Sequence, residues 1–303
     1  MNFLISGGSG FIGKHLSKSL HEKGNHTYIL TRSANNKTNT INTTYIPYNY
    51  PSDRLPIIDG VINLAGESLF GYWSSKKKDD IIKSRLDATN QIIELIKNMK
   101  TKPKVFISGS AVGYYGTSED LIYTEATTKP GKDFLAEVTV KWEEAARQAE
   151  SMGIRTIYAR FGIVLGNEGS LPLMSIPVKM LTGGKIGNGE QWMSWIHIQD
   201  AVNLIEYCLF EPQLEGPVNF TAPKPKRNKE FMKILSKNLK RPYWFRTPST
   251  LIHATIGEMG QLITKGQYVL PQKALEQGFE FNYPELNDAL KQLADAKKTK
   301  TLS

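Results

Sequence analysis

Three glycines near the start of the chain have the type and spacing needed to hold a phosphate group. The segment GGSGFIG places Gly7, Gly10 and Gly13 directly after the apolar run NFLIS and before a stretch with helical spacing. Glycine permits a tight turn and lets the backbone approach a pyrophosphate, and a helix starting there would direct free N–H groups at the same anion. The alternative is a glycine-rich turn without a ligand. The context favours a dinucleotide site formed by Gly7, Ser9, Gly10, Phe11, Ile12 and Gly13.

The end of the second apolar run indicates which dinucleotide is bound. Proteins that bind NAD usually place Asp or Glu there for the ribose 2′-hydroxyl, whereas proteins that bind NADP place an arginine near the 2′-phosphate. Here the run ends in YILTRS and has no carboxylate. Thr31 can donate a hydrogen bond to a phosphate and Arg32 can neutralise it, although Arg32 could also be a plain surface cation. We therefore predict NADP(H) in preference to NAD(H).

The elements that would position these residues alternate between short apolar runs and segments of helical periodicity. The predicted strands are 2–6, 26–31, 60–65, 104–108 and 155–160, with a weaker one near 44–47, and the predicted helices are 11–23, 76–99 and 133–152. This alternation predicts an α/β fold with a Rossmann-like, doubly wound parallel sheet.

Beyond about residue 165 the alternation stops and Gly and Pro become frequent. We expect an NADP-binding domain over 1–165, to which a strand near 217–221 returns. A smaller, mostly helical substrate lobe is expected over 166–303. The last part of that lobe is predicted to be helical with a break at Pro271.

Five motifs, in this order, resemble the extended short-chain dehydrogenase/reductase superfamily, the NAD-dependent epimerase/dehydratase group. They are GGSGFIG at 7–13, NLAGE at 63–67, ISGSAVGYYG at 107–116, RFGIVLG at 160–166 and WIHIQDAV at 195–202. The segment GGKIGNGEQWMSWIHIQD and the tail LPQKALEQGFEFNYPELNDAL resemble a divergent branch, the epimerase family of the 39U type. That branch implies a C-terminal tail domain, here about 249–296.

The resemblance adds residues to the expected cofactor site. Leu64, Ala65 and Gly66 match the segment that lies beside the adenosine part of the cofactor. Arg85 matches an arginine directed toward the NADP region, although an exposed helix cation is the alternative. Val164 matches a position near the nicotinamide.

The same resemblance exposes a gap in the expected chemistry. In the superfamily a tyrosine exchanges a proton with the substrate, a lysine four residues later lowers its pKa, and a Ser or Thr orients the substrate oxygen. The helix that should carry this pair, 132–150, contains no tyrosine, and the one Tyr-x-x-x-Lys match, Tyr72 with Lys76, lies too early in the chain. We interpret Tyr72 and Lys76 as part of an aromatic loop. The remaining catalytic candidates are Ser110, Tyr114, Tyr115 and Lys141, and Lys141 could instead form a surface salt bridge with Glu137.

Three residues of the second half are candidates for binding substrate. Trp192 could stack on a ring, and Arg227 could meet an anionic group of a substrate such as a nucleotide sugar. His197 matches a histidine that is usually structural in the superfamily. For each of the three, a structural or solvent-exposed role is the alternative.

Composition limits the remaining possibilities. The chain has 303 residues, a net charge of +9 and one cysteine, Cys208, which excludes an internal disulfide. Its cations are scattered, and no nucleic-acid-binding or metal-binding motif accompanies them. We expect a cytoplasmic protein with an unidentified small-molecule substrate, no metal, and no nucleic-acid or membrane partner. It would be an NADP(H)-dependent oxidoreductase or epimerase with an atypical active site, or a non-catalytic NADPH-binding regulator or scaffold.

Overall fold

The computed structural model describes residues 1–302, and the side chains of all of these except 251, 253, 255, 256 and 297–302. The strands are β1 (Asn2–Ser6), β2 (His26–Leu30), β3 (Thr43–Ile46), β4 (Gly60–Asn63), β5 (Val105–Ala111), β6 (Ile122–Tyr123), β7 (Arg155–Phe161), β8 (Ile163–Leu165), β9 (Gly184–Ile186), β10 (Trp192–Met193), β11 (Trp195–His197), β12 (Gly216–Phe220), β13 (Lys226–Arg227), β14 (Phe245–Thr247) and β15 (Tyr268–Val269). The helices are α1 (Phe11–Glu22), α2 (Ser75–Lys97), α3 (Phe134–Arg147), α4 (Ser170–Lys179), α5 (Ile198–Phe210), α6 (Asn228–Asn238), α7 (Ser249–Ile256), α8 (Gln261–Thr264), α9 (Gln272–Glu276) and α10 (Leu286–Leu302).

Seven parallel strands form the central sheet in the order β12-β7-β5-β4-β1-β2-β3. The strand order reverses between β1 and β4, which are direct neighbours and both end at the same edge. Ligands of open α/β sheets bind at such a reversal, outside the carboxyl ends of the strands. The predicted α/β fold with a Rossmann-like parallel sheet is confirmed.

Helices cover both faces of this sheet. On one face α1 and α5 bury Leu16, Leu20 and Leu204 against Ile5 and Ile107. On the other face α2 and α3 bury a second core that includes Ile92, Ile96 and Ala146 together with sheet residues such as Leu4 and Phe106. Two buried layers explain why the sheet strands read as continuous apolar runs rather than alternating ones.

Side-chain caps set the starts of the two helices on the second face. Ser74 Oγ accepts the N–H of Lys77 at the start of α2, and Asp133 Oδ1 accepts the N–H of Ala136 at the start of α3. Each cap satisfies one of the N–H groups that a helix leaves unpaired in its first turn. Both helices therefore begin at the carboxyl edge of the sheet, where the functional residues lie.

The second half of the chain builds a smaller lobe around its own core. Helices α4, α6 and α10 supply Leu171, Phe231, Leu235 and Leu290, which pack around Trp195. Four two-stranded pairs accompany them, namely β8 with β11, β9 with β14, β10 with β13 and β6 with β15. The prediction that the C-terminal segment is helical with a break at Pro271 is wrong for β15, which is extended because it pairs with β6, a strand much earlier in the chain.

None of the helices in the described part of the chain is both long and apolar enough to cross a membrane.

Candidate functional site

The glycine loop between β1 and α1 leaves no room for side chains. Gly7 has φ +70°, and a Cβ on it would lie 2.6 Å from the carbonyl of Leu64 at the end of β4. A Cβ on Gly13 would lie 2.3 Å from the Gly7 carbonyl oxygen. The loop therefore packs directly against the β4 end, which brings the backbone to the surface of the crevice.

The amino end of α1 supplies donors to that crevice. The first intrahelical bond runs from the N–H of Lys14 to the Gly10 oxygen at 3.0 Å, so the N–H groups of Phe11, Ile12 and Gly13 precede it. Ser9 and Gly10 are exposed beside them. Unpaired N–H groups and the helix dipole favour an anion at this position.

The side chains of the same turn anchor the loop instead of facing the crevice. The Phe11 ring approaches Gly166 and Gly169, where an added Cβ would come within 2.3 and 3.2 Å of it. Ile12 and Val164 pack against the core shared by α1 and α5. Phe11 and Ile12 can therefore contribute to cofactor binding through their backbone N–H groups.

Cations gather where β2 ends. Thr31 Oγ1 accepts the N–H of Ser33 at 3.3 Å, and Arg32 is exposed on the same turn. The pKa of Glu67 is lowered by its hydrogen bond to Lys77 and by the nearby charges of Arg32 and Arg85. Arg32 at the end of β2 and Arg85 of α2 thus bring positive charge to one part of the edge, as a 2′-phosphate would require, while Lys77 of α2 is paired with Glu67.

A buried hydrogen-bond chain fixes the end of β4. Ser6 Oγ donates to Asn63 Oδ1 at 2.6 Å, and Asn63 Nδ2 donates to Thr89 Oγ1 at 2.8 Å. The N–H of Ala65 donates back to Asn63 Oδ1 at 3.3 Å. These bonds fix the position of the chain where it leaves β4 and enters the predicted segment Leu64, Ala65 and Gly66.

Arg85 lies behind that segment rather than on an exposed helix face. Its Nη1 donates to the carbonyl oxygens of Glu67 and Ile81 at 3.1 and 2.9 Å, and its guanidinium lies 5.1 Å from the Trp142 ring. Burial lowers the pKa of Arg85 to about 10. A Cβ on Gly66 would lie 3.1 Å from the guanidinium carbon, so a side chain at this position would press against Arg85.

The end of β5, where the superfamily places its Ser or Thr, is closed by an ion pair. Ser110 Oγ donates to Glu143 Oε1 at 2.6 Å, while Arg160 donates from Nε to Oε1 at 2.7 Å and from Nη2 to Oε2 at 2.8 Å. All three residues are at most 5% exposed. Arg160 Nη1 is buried and has no hydrogen-bond partner among the described residues. The two-point pairing explains why this charge pair can be buried between β7 and α3.

The two tyrosines after β5 also donate to protein acceptors. Tyr114 Oη donates to the Thr128 carbonyl at 2.7 Å, and its ring lies 3.4 Å from the Arg160 guanidinium. Tyr115 Oη donates to Asn219 Oδ1 at 2.7 Å. Burial raises the pKa of Tyr115 to about 12, although the Arg160 charge acts in the opposite direction. In this arrangement Tyr115 is held as a protonated donor.

The remaining catalytic candidate and the Tyr-x-x-x-Lys match lie away from this cluster. Lys141 pairs with Glu137 at 2.6 Å on the outer face of α3, where both side chains are about half exposed. The ring of exposed Tyr72 approaches Gly257 of the tail, and Lys76 is exposed on the first turn of α2. The structure therefore joins Ser110 with Tyr114 and Tyr115 but does not bring Lys141 to them.

Trp192 and Arg227 are neighbours in the substrate lobe. They face each other across β10 and β13, with the guanidinium 3.9 Å from the indole ring. Trp192 Nε1 donates to the Glu119 carbonyl at 2.8 Å, and Arg227 donates to the Glu190 carbonyl. Both polar groups are thus engaged with the protein while the side chains stay half-buried.

His197 lies inside the protein, as its structural alternative expects. It is 2% exposed and caps α5, with Nδ1 accepting the N–H of Gln199 and Nε2 bonded to Gln292 Oε1. Burial lowers the pKa of His197 to about 4, so the ring is neutral. Nδ1 thus caps α5, while Nε2 joins α5 to α10.

Sequence reasoning missed Glu143 and Arg160. Glu143 lies four residues after buried Thr139 and three before buried Ala146, so a charge interrupts the inner stripe of α3. Arg160 interrupts a strand whose neighbours on both sides are apolar. Opposite charges at buried positions of a predicted helix and a predicted strand could have indicated that Glu143 and Arg160 form a buried ion pair. No cluster of potential metal ligands occurs among the described residues.

Two family models match this chain, one over its first two-thirds and one near its carboxyl end. The family model described as "NAD dependent epimerase/dehydratase family" matches residues 3–219. The chain belongs to this family. A second model, described as a domain of unknown function (DUF1731), matches residues 247–293, and it covers most of the predicted tail.

Several relatives match over nearly the whole length. The epimerase family protein YfhF of Bacillus subtilis is 45% identical over 303 residues, which are 99% of this chain and 100% of the relative. The chloroplastic SDR39U1 homologue of Arabidopsis thaliana is 38% identical, covering 96% of this chain and 86% of the relative. The crystal structure of the human epimerase family protein SDR39U1 with NADPH has a TM-score of 0.88 and 30% identity, covering 97% of this chain and 99% of that one. The resemblance to the 39U-type branch is confirmed.

Proposed function

We propose that this protein binds NADP(H) across the carboxyl ends of β1, β2 and β4. The observation that carries the proposal is the glycine loop, where Gly7 and Gly13 have no room for a Cβ and the first N–H groups of α1 point beyond the helix end. Arg32 supplies the charge for the 2′-phosphate, with Arg85 behind it. The human relative that was crystallised with NADPH supports the same cofactor.

For the reaction, we propose hydride transfer between the nicotinamide and a small carbonyl compound or a nucleotide sugar, as in an oxidoreductase or epimerase of the extended superfamily. Ser110, Tyr114 and Tyr115 are the proton-transferring groups nearest the expected position. Their use requires the hydrogen bonds to Glu143, Thr128 and Asn219 to rearrange when substrate binds.

A second function, a non-catalytic NADPH-binding regulator or scaffold, is favoured by those same bonds. Each of the three hydroxyls already donates to a protein acceptor. The helix that should carry the tyrosine–lysine pair contains no tyrosine, so it has no Tyr-x-x-x-Lys pair. As a regulator, the protein would keep its cofactor site and would respond to whether NADPH is bound there.

The cofactor assignment is tested by fluorescence titration of NADPH and NADH. We expect Arg32→Ala to weaken NADPH binding roughly 10- to 100-fold, the usual range for a lost charge-assisted hydrogen bond, and to leave NADH binding unchanged. Lys37→Ala removes an exposed cation from the same loop and is the matched control. Equal NADPH affinity in wild type and Arg32→Ala would contradict the assignment.

The two functions are separated by following NADPH consumption with carbonyl compounds and, because an epimerase regenerates its cofactor, epimer formation from nucleotide sugars in the presence of NADP+. Turnover that is lost in Tyr115→Phe, with NADPH affinity preserved, supports the enzyme. Tight NADPH binding without turnover of any compound, unchanged by Tyr115→Phe, supports the regulator.

A further inference from the structure

One face of the substrate lobe combines exposed apolar side chains with positive charge. Leu173, Ile176 and Met180 follow one another at helical spacing along α4 and its end, and all three are exposed. Trp244 is 73% exposed, and its indole N–H donates to the Leu181 carbonyl at 3.3 Å. The apolar members of this surface, which we call the α4–β14 face, are Leu173, Ile176, Met180, Leu181, Trp244 and Phe245.

Backbone pairing joins the two halves of the α4–β14 face. Strands β9 and β14 are paired, with Phe245 opposite Gly184. A Cβ on Gly184 would lie 1.5 Å from the Phe245 oxygen, so the two strands approach as closely as glycine allows. The bond from the Trp244 indole, just before β14, to the Leu181 carbonyl, just after α4, brings the exposed side chains of the two segments together.

The two segments that supply this face carry cations and no acidic residue. The segments 169–189 and 236–257 contain no aspartate or glutamate. The acidic residues that border them are each paired with a lysine, Glu168 with Lys14, Glu190 with Lys229 and Glu258 with Lys78. The cations of the two segments are Lys179, Lys185, Lys237, Lys240, Arg241 and Arg246.

Two helix ends on this face are strained where glycine would relieve them. Leu181 and Lys240 have φ of 63° and 54°, and they are the non-glycine residues with positive φ in the described part of the chain. Each follows a helix end of the Schellman type, with Thr182 bonded to Pro177 after α4 and Arg241 bonded to Ser236 after α6. Glycine is the usual residue at this position because a Cβ is unfavourable there. Here the strained positions carry one apolar and one cationic exposed side chain, and such strain commonly marks functional positions.

We propose that the α4–β14 face binds an anionic membrane surface. Aliphatic and tryptophan side chains flanked by Lys and Arg match the boundary between acyl chains and negative headgroups. A second copy of the chain fits poorly, because a two-fold contact would bring cations against cations. A single-stranded nucleic acid fits less well, since bases stack on aromatic rings and most of this face is aliphatic. This surface revises the expectation of no membrane partner and does not depend on the proposed cofactor.

The test is co-sedimentation of the full-length protein with vesicles of phosphatidylcholine alone and of phosphatidylcholine mixed with phosphatidylglycerol. We expect binding to the mixed vesicles, weakened by added salt and nearly absent with phosphatidylcholine alone. The double variant Leu181→Gly/Lys240→Gly should bind at least about tenfold more weakly, because it removes one apolar and one cationic side chain.

Glycine at these two positions also relieves backbone strain, so the double variant should melt at the same temperature as the wild type or higher. Loss of vesicle binding then cannot be attributed to unfolding. The matched control Ile41→Gly/Lys100→Gly removes an exposed aliphatic side chain and an exposed lysine from elsewhere on the molecule and should bind like the wild type.

Any of three results with vesicles would overturn the proposal. They are no binding to the mixed vesicles, equal binding by wild type and Leu181→Gly/Lys240→Gly, and an equal loss in the control pair. Binding of a labelled single-stranded oligonucleotide without binding to vesicles would assign the face to nucleic acid and would also overturn it.

Discussion

Two regions at the carboxyl edge of the sheet, the glycine loop beside β4 and the end of β5, are built in different ways. Between β1 and β4 the chain presents backbone N–H groups and glycines, with Gly7 close against the Leu64 carbonyl, and Arg32 is exposed at the end of β2. Beyond β5, where the superfamily performs proton transfer, Ser110, Glu143 and Arg160 form a buried and mutually paired group.

This difference teaches that the cofactor site and the proton-transfer site of such a fold can change independently. The first depends on backbone shape and a few cations, whereas the second depends on particular side chains from β5, β7 and α3. Once the tyrosine and lysine are absent, the ion pair can occupy the base of the second region without disturbing the first.

The largest expected effect comes from breaking the buried pair. Glu143→Leu leaves the Arg160 charge and the Ser110 hydroxyl buried without their partner, which should lower the free energy of unfolding by about 3–5 kcal/mol. Urea denaturation measures it. The double variant Glu143→Leu/Arg160→Leu should recover much of that loss, because no uncompensated charge remains. Losses that simply add in the double variant would show that the pair is not coupled.

The next effect concerns the glycine loop. Gly7→Ala places a Cβ against the Leu64 carbonyl, so NADPH affinity in a fluorescence titration should fall by more than about tenfold, equivalent to about 1.4 kcal/mol. Gly24→Ala is the matched control, since Gly24 has φ +75° and nothing lies within 4 Å of an added Cβ. If both variants lose the same affinity, the close approach of the loop to β4 does not matter for the cofactor.

The comparison also shows what the sequence could predict. The alternation of apolar runs and helical segments predicted the central sheet, because strands buried on both faces must be apolar. The pairings of β6 with β15 and of β9 with β14 could not be predicted, because two- or three-residue strands carry no periodicity. Arg32 was predicted from a known pattern and stays a prediction, whereas the Glu143–Arg160 pair depends on two elements meeting in space.

A smaller effect is expected at Tyr115. An activated tyrosine would ionise below the ordinary value of about 10, but burial raises the pKa of Tyr115 to about 12. Ultraviolet titration of wild type and Tyr115→Phe should therefore show no tyrosinate at Tyr115 below pH 10. Because the folded-state pKa lies above the unfolded one, the stability from this group is lost as pH rises from about 10 through about 12. If wild type showed a tyrosinate signal near neutral pH and Tyr115→Phe removed it, the region beyond β5 would again be a candidate active site.

The smallest effect is expected at Lys141. Its exposed pair with Glu137 should contribute no more than about 0.5 kcal/mol, so Lys141→Ala should change neither urea stability beyond that nor NADPH affinity. Lys97→Ala, which breaks a similar exposed pair on α2, is the control. Loss of turnover in Lys141→Ala alone would assign the residue a chemical role.

Glu125 ties three distant parts of the chain together. Its carboxyl group is buried and accepts the N–H groups of Asn219 at 2.8 Å and Lys273 at 3.3 Å. Burial raises the pKa of Glu125, and these two N–H groups act in the opposite direction by favouring its charged form. The segment around β6 therefore has a buried anchor only where the last strand of the central sheet and the tail are both in place. The pairing of β15 with β6 depends on the same tail, so the edge of the sheet and the carboxyl-terminal segment stabilise each other.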